Sequence, residues 1–309
     1  MSLSLLSIKH INVNCSDLER SLNFYRDIVG LTPLSHTNSL PKEGARFGLR
    51  GRVVWDARTL HDYRGLESPA IDLTQWKTPG PVGKPNQVAN HLGYMRLCLA
   101  HSNLDLLHAL LSKNGIRTRS APVSVPVVDG QNVKFFCCDD PDGNCVEFIE
   151  RPGPIRMSHI NINCRDLDHS AEWYQRVLGV KLAAARAEPP PSIGVGFGFN
   201  RDCSYRADFF SVNGDNTSYI IDLLEWIEPK PVGEPLTDAN HIGIFRMAFM
   251  VDDVRASCQI LDELSVEHSA PHRLETGPDV PTEGGLLAVF FKDPDGSCLE
   301  LIEKSKIEI

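Results

Sequence analysis

The sequence predicts an α+β protein built from a repeated unit, and three observations support that class. First, the chain of 309 residues repeats itself once at a spacing of roughly 150 residues. Second, each repeat contains both helical and strand-like patterns. Third, the strand patterns are short and several follow one another without an intervening helix. That order favours antiparallel pairing and argues against a doubly wound parallel sheet.

Three pairs of segments carry the repeat. "HINVNCSDLERSLNFYRDIVGL" begins at His10 and matches "HININCRDLDHSAEWYQRVLGV", which begins at His159. "IDLTQW" matches "IDLLEW", and "DPDGNCVEFIE" matches "DPDGSCLELIE". Pro and Gly in "ERPGPIRM" indicate a linker between the copies. The sequence therefore predicts two domains, residues 1–152 and 153–309.

The elements of the first copy follow in a definite order. A strand that contains His10 leads into a helix, with Asp17 as its predicted N-cap and Gly30 just after its end. Strand-like segments end in "SPAIDLTQW", and the Pro- and Gly-rich loop "TPGPVGKPNQVAN" comes next. The copy is completed by a strand "LGYMRLCLA", a helix "NLDLLHALLSKNG", a strand "QNVKFFCCD", a turn "DPDG" and a strand "NCVEFIE". Each copy is thus predicted to be strand, helix and strands, twice over.

Polar and apolar residues alternate in the first strand of each copy. Successive side chains of a strand point to opposite faces. One face is therefore apolar, and the other carries imidazole and amide groups. The residues of this polar face are His10, Asn12, Asn14, His159, Asn161 and Asn163. We expect the histidines to be metal ligands and the asparagines to contact substrate or to orient the ligands.

These segments together resemble the vicinal oxygen chelate superfamily, which includes glyoxalases, bleomycin resistance proteins and extradiol dioxygenases. The resemblance covers essentially the whole chain. It implies four βαβββ modules that form two curved mixed-sheet cups. It also implies one divalent metal in a cup, whether Fe, Mn, Ni, Co or Zn, because imidazole and carboxylate groups bind all of these ions.

The resemblance places candidate metal ligands in both copies. They are His10, Asp72 and Glu147 in the first copy, and His159, Asp222 and Glu300 in the second. An open coordination position would let the metal polarise a substrate oxygen. The pairing of modules stays open at this point. If the first module joins the fourth, His10 shares a site with Glu300 and not with Glu147.

One position departs from the family pattern in both copies. Where glyoxalase-like members carry a ligand histidine, this chain has Arg96 and Arg246. A guanidinium stays protonated and cannot bind a metal. One interpretation is that three protein ligands remain and the arginine binds a substrate carboxylate or oxyanion. The other is a metal-free pocket in which the arginine forms a buried ion pair with the Asp and the Glu.

Further residues are candidates for catalysis and substrate contact. We predict Glu147, Glu300, Arg96 and Arg246 as catalytic residues, since a metal-bound carboxylate often serves as the base in this family. His91 and His241, in the motif "N-H-x-G", are candidates for substrate binding or proton transfer, with a structural role as the alternative. His61, Tyr63 and Arg64 are possible substrate contacts that have no counterpart of similar chemistry in the second copy, so any such contact would make the cups unequal.

Composition excludes several classes of partner. The formal net charge is −9 and no run of Lys or Arg stands out, which argues against nucleic acid and anionic membranes. No apolar stretch is long enough for a membrane span, and a secretory signal is not apparent. The nine cysteines are expected to be mainly buried free thiols of a cytoplasmic protein. The expected partner is a small-molecule substrate, with self-association left open.

These observations favour a divalent-metal enzyme that acts on a small oxygenated substrate. A lyase or isomerase with glyoxalase- or epimerase-like proton transfer is the first hypothesis. The first alternative is an extradiol ring-cleaving dioxygenase. Two observations weigh against it: both copies keep the same residue set, and the histidine expected at Arg246 is missing. The second alternative is a metal-free binding or resistance protein, and the arginine pair motivates it.

Overall fold

The chain folds into two curved mixed sheets with short helices on their outer sides. The structure is a computed structural model and describes residues 2–38, 40–126, 132–184, 186–215, 217–274 and 286–304. Within these ranges no helix is long and apolar enough to cross a membrane. The predicted α+β class and the four-module architecture are confirmed.

Each copy contributes two modules of similar order. The first module consists of β1 (Ser7–Asn14), α1 (Leu18–Leu22), β2 (Thr32–Asn38), β3 (Lys42–Glu43), β4 (Arg52–His61) and β5 (Ala70–Thr78). The second consists of β6 (Gly93–His101), α2 (Leu104–Lys113), β7 (Val123–Pro126), β8 (Asn132–Asp139) and β9 (Cys145–Glu150).

The second copy repeats this order with small differences. Its first module consists of β10 (Arg156–Asn163), α3 (Leu167–Trp173), β11 (Lys181–Leu182), β12 (Ser204–Ser211) and β13 (Ile220–Glu228). The last module consists of β14 (Gly243–Val251), α4 (Val254–Glu263), β15 (His272–Leu274), β16 (Leu286–Lys292) and β17 (Cys298–Glu303).

The first helix begins as predicted but changes its geometry halfway. Asp17 caps it, since its Oδ1 accepts a bond of 3.0 Å from the backbone N–H of Arg20. From Asn23 to Ile28 the chain forms a π-helical turn, in which the N–H of Val29 bonds the carbonyl of Phe24. The sequence predicted one helix that ends just before Gly30, and the second half of the observed helical segment is π-helical. The spacing of apolar residues does not distinguish the two helix types here, because both bury the same side of the segment.

The first module pairs with the fourth, and the second pairs with the third. One sheet has the strand order β15-β16-β17-β14-β1-β5-β4-β2, and the other has β11-β12-β13-β10-β6-β9-β8-β7. We call their concave faces cup 1 and cup 2, respectively. The antiparallel pairs β1–β14 and β10–β6 form the seams between modules. Each cup therefore contains residues from both copies of the repeat.

Alternation along the seam strands separates a shared core from the cups. Ile11 and Ile160 are fully buried in one hydrophobic cluster that includes strands of both sheets and the helices. Their neighbours His10 and His159 face the cups instead, beside the carboxylates described below. All nine cysteines are buried and unpaired, as expected.

Candidate functional site

Two rows of side chains cross the floor of cup 2. In the first row, His159 of β10 lies opposite Cys98 of β6, and Cys98 lies opposite Glu147 of β9. In the second row, Asp222 of β13, Asn161 of β10 and Arg96 of β6 lie side by side. Residues two apart on a strand share a face, so both rows point into the same cup.

Arg96 binds both carboxylates of cup 2. Its Nε lies 2.8 Å from Oε2 of Glu147, and its Nη2 lies 3.2 Å from Oδ2 of Asp222. The guanidinium stands 4.3 Å from the centroid of the Phe197 ring and is 2% exposed. His159 completes the group, with its Nε2 at 3.7 Å from Oε2 of Glu147. The arginine thus lies between the two acids that the sequence predicted as metal ligands.

Cup 1 repeats this arrangement with residues of the outer modules. Arg246 Nε lies 2.7 Å from Oε2 of Glu300, and its Nη2 lies 3.1 Å from Oδ2 of Asp72. The Nε2 of His10 lies 3.4 Å from Oε2 of Glu300 without forming a hydrogen bond. The structure therefore places His10 with Glu300 and His159 with Glu147, which is the second of the two pairings left open by the sequence.

The two acids bound by Arg96 have pKa values shifted in opposite directions. Burial alone would raise the pKa of Glu147, but the charge of Arg96, assisted by His159, holds it at about 2. Arg246 and His10 act in the same way on the pKa of Glu300, which is also about 2. Burial raises the pKa of Asp222 above its ordinary value, because Arg96 only partly offsets it. Glu147 is thus an ionised acceptor, whereas Asp222 holds a proton more readily.

The predicted asparagines fall into two pairs with different contacts. Asn12 and Asn161 each donate from Nδ2 to Oδ2 of the neighbouring aspartate at 3.1 Å, namely to Asp72 and Asp222. They therefore orient the acids. Asn14 donates to the carbonyls of Ala239 and His241, and Asn163 donates to those of Ala89 and His91. This second pair holds the loops that follow β5 and β13.

His91 and His241 lie in these loops, outside the two rows. The two loops contact each other, since Val82 forms a β-bridge with His241 and Val232 forms a β-bridge with His91. Each ring lies directly against a glycine of the opposite loop. A Cβ on Gly83 would meet Nε2 of His241 at 2.0 Å, and one on Gly233 would meet Nε2 of His91 at 2.0 Å. Neither histidine is among the residues that line the cavity described next.

A cavity of about 640 Å³ opens above the floor of cup 2. Its floor includes Arg96, Glu147, His159 and Asp222. Its wall and rim include Phe135, Ile193, Phe197, Arg151, Arg156, Tyr63 and Arg64. Tyr63 and Arg64 lie between β4 and β5 of the first module, whose strands build cup 1. The two cups therefore differ at this rim, whereas His61, the third candidate of the same segment, is buried and is not among the residues that line the cavity.

Several buried polar atoms at the cavity floor lack a partner. Among the described residues, Nη1 of Arg96 donates to no acceptor, and Oδ1 of Asp222 and Oδ1 of Asn161 accept from no donor. Buried polar groups in proteins are nearly always hydrogen-bonded. A donor and two acceptors left free beneath a cavity are suited to a ligand that carries both kinds of group.

Aromatic side chains crowd the equivalent place in cup 1. Phe290 lies opposite Glu300 in the sheet, where cup 2 has Cys137 opposite Glu147. The Phe290 ring lies 5.9 Å from the Arg246 guanidinium and packs with Phe47 and His272. The two floors thus share their ion pairs but differ in the side chains above them.

The predicted ligand sets do not fit a single metal ion in this arrangement. Metal ligands must approach one another closely, because each lies about 2.0–2.3 Å from the ion. In the described part of the chain, one group of three ligand-type side chains has donor atoms within 4.8 Å of one another, namely Cys98, Glu147 and His159. Asp222 and Asp72 are outside such a group, since the guanidinium separates them from Glu147 and Glu300. The apolar run around Cys98 predicted a core thiol, although its spacing of two from Arg96 places Cys98 on the same face as that arginine.

Comparisons with known proteins agree with the fold. Residues 7–148 and 156–301 match the Glyoxalase/Bleomycin resistance protein/Dioxygenase superfamily model. The lactoylglutathione lyase of Arabidopsis thaliana is 23% identical over 93% of this chain and 88% of its own length. The lactoylglutathione lyase of Schizosaccharomyces pombe is 20% identical over 98% of both chains.

Solved structures show the same architecture. The glyoxalase I of Zea mays superposes with a TM-score of 0.69 at 19% identity, covering 96% of this chain and 92% of that one. A dioxygenase-type protein of Bacillus subtilis gives a TM-score of 0.61 at 13% identity, with 98% and 86% coverage. At these identities the likeness concerns the fold alone. Because the family model matches both copies and covers most of the sequence, the chain belongs to the glyoxalase/bleomycin resistance protein/dioxygenase superfamily.

Proposed function

We propose that this protein is a lyase-type enzyme whose reaction takes place in cup 2. The observation that carries the proposal is the set of unpartnered buried polar atoms beneath a cavity of about 640 Å³. Pockets of this size with a few convergent polar groups are the usual form of a small-molecule site. Relatives named as lactoylglutathione lyases support the reaction class.

Arg96 is the proposed electrophilic residue. Its charge is fixed, and burial strengthens its field by removing competing water. The free Nη1 is the donor that a substrate oxygen would accept from as negative charge develops on it. Glu147 and Asp222 hold the guanidinium in place from the other side.

Proton transfer is proposed for His159 and Asp222. Both line the cavity, and imidazole is the most frequent general base in enzymes. The raised pKa of Asp222 lets this acid exchange a proton more readily than an ordinary carboxylate. Glu147, with a pKa of about 2, is a weak base, so its proposed duty is to position Arg96 and His159.

The proposed substrate is small, oxygenated and negatively charged away from its reacting end. Arg151 and Arg156 line the cavity, and among the described residues their guanidinium groups bond only backbone carbonyls. They are therefore free to receive an anion. Lactoylglutathione, after which the relatives are named, is a thioester whose peptide part carries carboxylates, and it is the first compound to test.

The deciding experiment follows the thioester absorbance of lactoylglutathione, in both directions, with wild-type protein. We expect turnover that His159→Gln abolishes and that the matched cup 1 variant His10→Gln largely retains. Absence of turnover with this compound and with other thiol adducts of α-oxoaldehydes would contradict the lyase proposal. Equal losses in the two variants would contradict the assignment to cup 2.

One observation favours a second function, that of a metal-free binding protein. Arg96 and Arg246 already neutralise part of the carboxylate charge that a metal would otherwise neutralise. Saturable binding of a small anion to cup 2 without any turnover, and weaker binding in the double variant Arg151→Ala with Arg156→Ala, would support this function.

A further inference from the structure

One wall of the cup 2 cavity is a short 3₁₀-helical segment, Pro191–Phe197, which we call the wall segment. Two of its residues, Ile193 and Phe197, line the cavity. The wall segment belongs to the second copy but packs on β7 and β8 of the first. Gly196 permits this close approach, since a Cβ there would meet Cζ of Phe135 at 2.2 Å. The contact between glycine and ring thus fixes where the wall segment lies.

The wall segment places an aromatic ring on Arg96. The centroid of the Phe197 ring lies 4.3 Å from the guanidinium, well within the range of a cation–π contact. Rings of three strands surround Phe197 at centroid distances of 5.1, 6.1 and 5.9 Å, namely those of Phe135, Tyr205 and Trp226. A ring enclosed in this way has little freedom to move. Phe197 is therefore a rigid cover for one face of the arginine.

The acids and the ring restrain Arg96 in different ways. Glu147 and Asp222 accept from Nε and Nη2, so they hold two edges of the guanidinium. Hydrogen bonds in the plane of the group do not keep water from its faces, whereas the Phe197 ring covers one face. Because a guanidinium is planar and rigid, these contacts together also fix Nη1. Among the described residues, Nη1 is the nitrogen of Arg96 that has no hydrogen-bond partner.

The equivalent phenylalanine in cup 1 makes different contacts. "GARFG" of the first copy matches "GVGFG" of the second, so Phe47 corresponds to Phe197. The Phe47 ring lies 5.1 Å from the guanidinium of its own neighbour, Arg46. Arg246 has the ring of Phe290 beside it instead, at 5.9 Å. The close cover of the floor arginine by the wall segment is thus a property of cup 2, the cup in which the cavity lies.

We propose that Phe197 is a positioning residue for Arg96, because its ring excludes water from one face of the guanidinium and fixes Nη1 for a substrate oxygen. The consequence for catalysis rests on the proposed function of cup 2. A guanidinium shielded from water acts more strongly on a developing oxyanion and needs no rearrangement during the reaction. Removal of the ring should therefore weaken binding of the transition state more than binding of the substrate.

Nuclear magnetic resonance of the Arg96 side chain tests the contact in protein without substrate. Protons that lie over an aromatic ring are shifted upfield by its ring current. We expect the side-chain N–H resonances of Arg96 at high field in the wild type and the loss of that shift in Phe197→Leu. Hydrogen exchange at Nε should become about 2- to 30-fold faster, the range that corresponds to a cation–π contact. Phe199→Leu removes a nearby ring that packs on Trp226 and should leave the Arg96 resonances in place.

Steady-state kinetics with lactoylglutathione test the consequence. Phe197→Leu should lower kcat about 2- to 30-fold and change KM less than about 2-fold. Replacement of Phe197 by 3,4,5-trifluorophenylalanine keeps the shape of the ring but weakens its negative face, so it should also lower kcat. A merely structural ring would not respond to fluorination. Phe47→Leu, the matched change in cup 1, should leave kcat unchanged.

The proposal is overturned if the wild-type Arg96 resonances show no ring-current shift, or if Phe197→Leu leaves them unchanged. A variant that raises KM and keeps kcat, or a fluorinated protein as active as the wild type, would also overturn it. If the wild type does not turn over the thioester at all, the lyase proposal fails. The magnetic resonance result then decides by itself whether Phe197 fixes Arg96.

Discussion

Arg96 donates from Nε to Oε2 of Glu147 across 2.8 Å, and both side chains are almost completely buried. The same bond joins Arg246 to Glu300 at 2.7 Å in the other cup. A buried ion pair is costly to form but much costlier to break, because removing one partner leaves an uncompensated charge in a medium of low polarity. Both arginines are therefore strong determinants of stability, whatever else they do.

Replacing Arg96 should destabilise the fold severely. Arg96→Gln leaves Glu147 and Asp222 facing each other without a cation, and we expect a loss of about 3–5 kcal/mol in the free energy of unfolding. Arg246→Gln should cost less, because the Arg246 side chain is 12% exposed against 2% for Arg96. Urea denaturation measures both values, with Arg176→Gln on the exposed surface as the control. A loss for Arg96→Gln no larger than that of the control would contradict the importance of the buried pair.

Acid should destabilise the protein through Glu147 and Glu300. Their pKa values in the folded state are about 2, against 4.5 for an unperturbed glutamate. A lowered pKa means that the folded state binds the proton more weakly than the unfolded state. The resulting stability is complete above pH 4.5 and is lost as the pH falls towards 2, to the extent of about 3 kcal/mol for each residue.

The measurement is the free energy of unfolding as a function of pH in wild-type protein, in Glu147→Gln and in Glu300→Gln. Each variant is less stable at neutral pH but should lose less on acidification, because it lacks one titrating group. If the decrease between pH 5 and pH 3 is as steep in the variants as in the wild type, other carboxyl groups account for the acid sensitivity.

Much of the fold was predictable because its signals are local. Alternation of His10, Asn12 and Asn14 placed these residues on one face of a strand, and "DPDG" positioned the strand that carries Glu147. Arg246 was identified at the family position six residues before Asp252, which opens the next helix, and Arg96 was identified from it by the repeat; the structure joins both to the predicted carboxylates. The turn is formed, with the N–H of Gly143 bonded to the carbonyl of Asp140.

The pairing of modules was not predictable, because the repeat makes the alternatives equivalent. Strands β6 and β14 carry the same pattern, "GYMR" and "GIFR", so either could pair with β1 by local criteria. His91 was ambiguous for another reason. Alternation applies only inside a strand, and β6 begins at Gly93, beyond this histidine. Cys98 was overlooked because a cysteine in an apolar run is usually a core residue.

Because the His241 and His91 rings lie directly against Gly83 and Gly233, we expect a single methyl group added at either glycine to destabilise the fold. Gly233 has a φ of 71°, and Gly48 has the same φ. A Cβ at Gly48 meets no atom within 4 Å, whereas one at Gly233 would overlap the His91 ring. Gly48→Ala should therefore cost only the conformational penalty of about 1–2 kcal/mol. Gly233→Ala should cost about 1–3 kcal/mol more, from overpacking.

A double-mutant cycle separates the two contributions. His91→Ala in the Gly233→Ala background should recover the part due to overlap and leave the conformational penalty. The mirror pair, Gly83→Ala with His241→Ala, should behave alike, since the overlap distance is the same 2.0 Å. Thermal or urea unfolding gives the four values. If removal of the ring recovers nothing, the loops do not depend on the close contact of ring and glycine.

The rim arginines should govern substrate affinity without affecting the chemical step. Arg151 and Arg156 line the cavity and bond the backbone carbonyls of Glu150 and Pro152, so we expect any contact that they make with substrate to be the same before and during reaction. Removal of such uniform binding raises KM and leaves kcat unchanged. A partly exposed ion contact is worth about 0.2–1 kcal/mol, so each substitution by Ala should raise KM for lactoylglutathione by about 1.5- to 5-fold.

Because salt screens such contacts over about 8–10 Å, the difference from wild type should shrink as NaCl is added. Steady-state kinetics at low and high salt decide this, with Arg176→Ala as the control. A fall in kcat would instead place these arginines in contact with the reacting atoms.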